Sequence, residues 1–183
     1  MSDWLSPNPP DIATPLYGIN AMKNNFKAKQ KIGDWSLIAL IKSNANGDVF
    51  LCENQRRERF VIKICKKITS NSYYRFKTEI EATLLASEIV GVVKIIDYRL
   101  PPKKFTEDFS FVPYYVMRRG MPLLTFLRDK DISKKIEFII VLAYSLHQLH
   151  KKKIYHRDIK PTNILVLEEI PIFIDFGISK IPK

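Results

Sequence analysis

The chain has 183 residues, enough for one domain with a sizeable core, and its 46% hydrophobic and 27% charged content excludes wholesale disorder. No apolar run approaches the roughly 18 residues of a membrane-spanning helix, and the opening MSDWLSPNPP shows no secretory signal. The net charge of +11 would suit a nucleic-acid surface, but the basic residues are scattered and no aromatic residues interleave with them as a base-stacking platform, so nucleic acid is not the expected partner.

Residues 1–30 read as a Pro-rich leader, with four prolines in the first fifteen positions. Leu16, Tyr17, Ile19, Met22 and Phe26 could form an amphipathic turn within it, although a flexible tail is the simpler reading. Trp35-Ser36-Leu37-Ile38-Ala39-Leu40-Ile41 predicts a strand and Val49-Phe50-Leu51-Cys52 its hairpin partner, with turn formers from Lys42 to Gly47 between them. Phe60-Val61-Ile62-Lys63-Ile64 predicts a third strand. From about residue 72 to 89 the spacing of Phe76, Ile80, Thr83 and Leu84 becomes helical. Two further strands follow at 92–100 and 111–117. Five strands interrupted by one helix imply a small antiparallel sheet with the helix on one face.

After Arg118-Arg119-Gly120 the pattern turns helical, first briefly over 123–128 and then over 132–151. In the long helix Ile136, Ile139, Ile140, Ala143, Leu146 and Leu149 define a broad apolar face. Ser133, with Glu137 nearby, offers its start. Lys151-Lys152-Lys153 falls at its end, where cations complement the helix dipole. Ile164-Leu165-Val166-Leu167 and Ile172-Phe173-Ile174 predict two short strands. Cys52 and Cys65 are the only cysteines and read as free thiols in a reducing cytoplasm.

The chemistry concentrates in Tyr155-His156-Arg157-Asp158-Ile159-Lys160-Pro161-Thr162-Asn163, followed after a strand-length apolar segment by Asp175-Phe176-Gly177. A lone His-x-Asp would read as a loop cap. Here the Asp comes with a Lys two residues on, an Asn three beyond that, and a second Asp. Such a set fits a base beside a hydroxyl, a cation beside a phosphate, and oxygen ligands for a metal. Together HRDIKPTN and DFG resemble the catalytic loop and metal-binding motif of the eukaryotic-type (Hanks-type) protein kinases, in their serine/threonine subclass.

The resemblance implies an α+β, protein-kinase-like fold, with a five-stranded antiparallel N-lobe over 31–117, a hinge at 118–120, and the first part of a mainly helical C-lobe over 121–183. It implies ATP and Mg²⁺ as cofactors and a protein serine or threonine hydroxyl as acceptor. Asp158 would be the catalytic base and Lys160 the cation at the transferred phosphate, the residue typical of serine/threonine specificity. Asn163 and Asp175 would hold Mg²⁺, which prefers a few hard oxygen ligands. Arg157 would pair with a phosphorylated activation segment. His156 and Phe176 would pack beneath the site.

On its own Lys63 reads as a solvent-facing strand residue; the resemblance makes it the lysine that holds the α- and β-phosphates. Its acidic partner is expected to be Glu79, beside the buried stripe, rather than Glu81, which lies roughly 160° around the helix from it. The phosphate-covering pattern G-x-G-x-x-G-x-V falls on Lys42, Asn44, Gly47 and Val49, so only its third glycine is present. Asn44 tolerates left-handed backbone geometry; Lys42 brings only a cation. Met117 would stand at the back of the nucleotide pocket.

The chain stops six residues after Gly177, so a kinase truncated shortly after the DFG motif is expected. Apolar surface over 132–151 should then be exposed and open to a kinase or complementing chain. The rival to an active enzyme is a non-catalytic binding module that pairs with or inhibits a complete kinase.

Overall fold

The computed structural model describes residues 30–44, 47–65, 70–100 and 112–182. The leader up to residue 29 and the central residues of the expected phosphate-covering turn, Ala45 and Asn46, lie outside them.

Six strands form the larger sheet: β1 (Lys31–Ile32), β2 (Trp35–Asn44), β3 (Gly47–Glu53), β4 (Arg59–Ile64), β5 (Ile95–Arg99) and β6 (Tyr114–Met117). Their order is β1-β2-β3-β4-β6-β5, antiparallel throughout. The strand beyond the five expected is β1, too short to show a period-2 pattern. It folds back onto β2 through Gly33, whose φ of +58° suits glycine.

The strand expected over 92–100 is divided. Val92 and Val93 instead meet β9 (Ile170–Phe173): the Val93 N–H donates to the Phe173 carbonyl at 3.1 Å and the Phe173 N–H to the Gly91 carbonyl at 2.8 Å. Only from Ile95 does the segment join the larger sheet. This connection ties that sheet to the strand leading into Asp175.

Helix α1 (Ser70–Leu85) covers one face of the sheet. Phe76, Ile80 and Thr83 are buried as their spacing predicts, whereas Leu84 faces outward and Tyr73 and Ala82 complete the buried side. Between helix and sheet lie Val61, Phe76, Ile80, Tyr115 and Met117, with Ile172 of β9 joining them. The opposite sheet face buries Trp35, Leu37, Phe50, Ile62 and Val116. The alternation along β4 places Val61 and Lys63 on the helix side.

Beyond β6 come β7 (Met121–Pro122), α2 (Leu123–Leu127), α3 (Ile132–Lys151), a 3₁₀ turn (Pro161–Asn163) and β8 (Ile164–Leu167), with a second sheet ordered β7-β8-β9. The cap of α3 is Asp131 rather than Ser133: its carboxylate accepts the Lys134 N–H at 2.8 Å, two residues before the expected cap, and the helix begins at Ile132. At the other end the Ile154 N–H donates to the Leu149 carbonyl at 3.0 Å and the Lys153 N–H to the His150 carbonyl at 2.8 Å. This is a Schellman closure, with Lys153 at φ +57° where glycine is usual. Buried Ile154 anchors the exit into the loop that follows.

The broad apolar face predicted for α3 is two faces. Phe138, Ser145 and Leu149 are buried, with Leu142 and Leu146 packed beside them. Ile136, Ile139 and Ile140 are 50%, 65% and 62% exposed and form an outer stripe with Ile132 and Tyr144. Hydrophobic periodicity cannot tell the two apart, because both recur at helical spacing.

Candidate active site

Strand register builds the first half of the site. Val49 of β3 lies opposite Lys63 of β4, which lies opposite Tyr115 of β6, so the three stand in one row on the face that meets α1. Lys63 is buried, not solvent-facing. Its ammonium donates to both oxygens of Glu79, at 2.6 and 2.8 Å, and to Asp175 Oδ1 at 3.4 Å. Glu79 accepts a third bond, from the Tyr115 hydroxyl at 2.7 Å. Glu81 stays at the surface and pairs with Lys77 at 3.5 Å, one helical turn away.

Burial alone would lower the Lys63 pKa, but the Glu79 and Asp175 carboxylates outweigh it and hold the ammonium charged. Burial, joined by the nearby Asp175 carboxylate, pushes the Glu79 carboxyl above its usual range, and Lys63 and the Tyr115 hydroxyl offset this in part. Three hydrogen bonds, two from Lys63 and one from Tyr115, converge on Glu79 and favour its ionised form.

The second half is the loop before β8. His156 is buried against Phe173 and Phe176, with ring centroids 5.6 and 4.5 Å away. Its Nε2–H donates to the Ile174 carbonyl at 3.0 Å, and its Nδ1 accepts the Asp158 N–H at 3.3 Å. These bonds fix a neutral imidazole, and burial holds its pKa below the usual histidine range. Packing was the expected role; the ring also orients the backbone of Asp158.

The Asp158 carboxylate accepts both Lys160 Nζ, at 2.8 and 3.0 Å, and Asn163 Nδ2, at 2.8 Å. Lys160, then Asn163, hold its pKa below the usual carboxylate range. Asn163 is buried and also donates to the Asp158 carbonyl at 3.0 Å. The Ile174 N–H donates to the Asn163 carbonyl at 3.0 Å, which joins the loop to the chain entering Asp175. Arg157 and Asp175 both sit at φ +66°. Side-chain-bearing residues rarely adopt this geometry, and it gathers at functional sites.

Of the residues expected to border a nucleotide, Val49 packs at the edge of the α1 core and Met117 inside it. Gly47 opposes Asn44 across the hairpin and has a local reason to be glycine: a Cβ there would fall 2.5 Å from the Ile64 carbonyl oxygen. Lys42 lies opposite Val49 on β2 and is exposed.

The donor set fits Mg²⁺. Asn163 spends its amide N–H groups on Asp158, which leaves its amide oxygen as the atom able to meet a cation, and the Asp175 carboxylate is partly open. Among the described residues no three His, Cys, Asp or Glu side chains converge. A cation here would rest on two protein oxygens together with phosphate and water oxygens, a coordination Mg²⁺ accepts.

Tyr115 is the site residue that sequence reasoning missed. Its place two residues before Met117 put it on the right face, but its acceptor lies 36 positions away on α1.

Comparison with known proteins converges on the same fold. The model of the protein kinase domain family matches residues 35–183. Serine/threonine-protein kinase A of Synechocystis sp. is 28% identical over 171 residues, covering 80% of this chain and 31% of that protein. The greatwall serine/threonine-protein kinase of Danio rerio is 29% identical over 170 residues, covering 90% of this chain and 19% of that protein. The chain thus spans about a third or less of these relatives' length. No helix among the described residues is long and apolar enough to cross a membrane. With the family match running from the start of β2 to the last residue, the chain belongs to the protein kinase domain family and resembles its serine/threonine kinases.

Proposed function

We propose that this domain transfers the γ-phosphate of ATP to a serine or threonine hydroxyl of a protein, with Asp158 as base. The observation that carries the reading is the convergence on one strand end. Ile174 hydrogen-bonds both His156 and Asn163, and the next residue, Asp175, reaches Lys63. Lys63, fixed by Glu79, would hold the α- and β-phosphates; Gly47, Val49 and Met117 would border the nucleotide. Lys160, on Asp158 here, would move to the transferred phosphate. With its pKa held low, Asp158 orients the acceptor hydroxyl and takes its proton late, as a loose phosphoryl-transfer transition state requires. Asn163 and Asp175 would hold Mg²⁺, which when bound supplies charge compensation for the phosphate oxygens.

The reading divides the chain into an N-lobe over 31–117, a hinge at 118–120 and C-lobe elements from 121. The buried thiols of Cys52 and Cys65 suit a reducing cytoplasm, where we place the protein. The outer isoleucine stripe of α3 supports a kinase or complementing chain as a further partner. A purely non-catalytic binding module draws on that stripe and on the two missing glycines of the phosphate-covering pattern, but it leaves the polar constellation without a role.

Thermal unfolding with and without Mg·ATP tests the nucleotide half of the proposal. Ligand at about 100 times its Kd adds about 2.7 kcal/mol of stability. The parent should gain such a shift and Asp175→Ala should lose most of it; no shift in the parent would refute the proposal.

A further inference from the structure

We propose that Tyr115 is a positioning residue for phosphoryl transfer, its hydroxyl holding the Glu79 carboxylate in line with Lys63. The inference rests on the proposed kinase activity. Lys63 has three N–H groups, and in this structure Glu79 takes two contacts and Asp175 one. When those N–H groups turn to phosphates, Glu79 loses part of its donor supply in a site closed to water. The Tyr115 hydroxyl is a donor that does not leave. It reaches Glu79 Oε1 at 2.7 Å from a ring that is 4% exposed, packed 5.7 Å from Phe76, and fixed by strand register opposite Lys63. The charged and titratable groups that face Glu79 are Lys63 from β4, Tyr115 from β6 and Asp175 beyond β9. Asp175 repels it, so the hydroxyl and Lys63 alone favour its ionised form.

Tyr115→Phe keeps the ring and removes the donor. A hydrogen bond to a charged group is worth enough that kcat/KM for Mg·ATP should fall about tenfold. The acid limb of its pH profile should move to higher pH, because Glu79 without that donor takes up a proton more readily. In parallel, carbon NMR titration of protein carrying ¹³C-carboxyl glutamate reads Glu79 without any need for activity, and its titration should move to higher pH in the variant. Phe76→Leu loosens the same packing but spares the hydroxyl, and should move neither limb nor titration. An unmoved Glu79 titration in Tyr115→Phe overturns the inference whatever the activity. A moved titration with parent-like kinetics overturns the positioning role, and an equal effect of Phe76→Leu assigns it to packing. If the parent titrates as described but transfers no phosphate, the proposed function fails, and the positioning role fails with it.

Discussion

Replacing Glu79 with leucine leaves the buried Lys63 with Asp175, at 3.4 Å, as its remaining carboxylate, and takes the acceptor from the Tyr115 hydroxyl. Breaking a buried ion pair from one side costs about 3–5 kcal/mol. The partly open Asp175 offsets some of this, so Glu79→Leu should cost about 3–4 kcal/mol. Lys63→Met breaks the same pair from the other side and should cost only about 1–2 kcal/mol, because the stranded carboxyl can take a proton and still accept from Tyr115. In Lys63→Met the folded-state pKa of Glu79 lies above its unfolded value. The stability it contributes is therefore present at low pH and lost as pH rises through the folded pKa. Urea unfolding followed by tryptophan fluorescence between about pH 5 and 8 measures all three effects. The double variant Lys63→Met/Glu79→Leu should cost less than the two single costs added together. Equal single costs, additivity, and a Lys63→Met stability that does not fall with rising pH would together refute the ionised-pair account.

Lys153→Gly should relieve left-handed strain at the end of α3 and raise stability by about 1 kcal/mol, or roughly 2–4 °C in Tm by calorimetry. An unchanged or lower Tm would show that the lysine pays no penalty there. For His156 the folded-state pKa is depressed, so its contribution is present above the unfolded value of about 6.5 and lost as pH falls through the folded pKa. Stability of the parent should decline as pH falls below about 6.5, and His156→Phe, measured by the same urea titrations, should show a shallower slope there.

The polar half of the site was legible because its chemistry is local. Asp158, Lys160 and Asn163 fall within six consecutive residues, and Asp175 follows one hairpin later. Helix geometry separated Glu79 from Glu81 for the same reason, since the question concerned one helix and which side of it is buried. Tyr115 was not legible, because its meaning depends on a strand register that places it opposite Lys63 and under α1. The α3 faces misled for a different cause. A helix with isoleucines on its outer side and Phe138 and Leu149 on its inner side carries two apolar stripes, and only packing distinguishes them. Strand β1 owes its existence to the turn at Gly33 and to pairing, neither of which a two-residue segment can announce.

Phosphoryl transfer with Asp158 as the base is the step on which the proposed function stands or falls. Its most direct test is incorporation of γ-labelled phosphate from Mg·ATP into a generic basic protein by the parent and by Asp158→Asn, with nucleotide protection against thermal unfolding measured on both. The account predicts incorporation by the parent and at least about 100-fold less by Asp158→Asn, with protection retained. Equal incorporation by the two, or none by a parent that binds Mg·ATP, would contradict it.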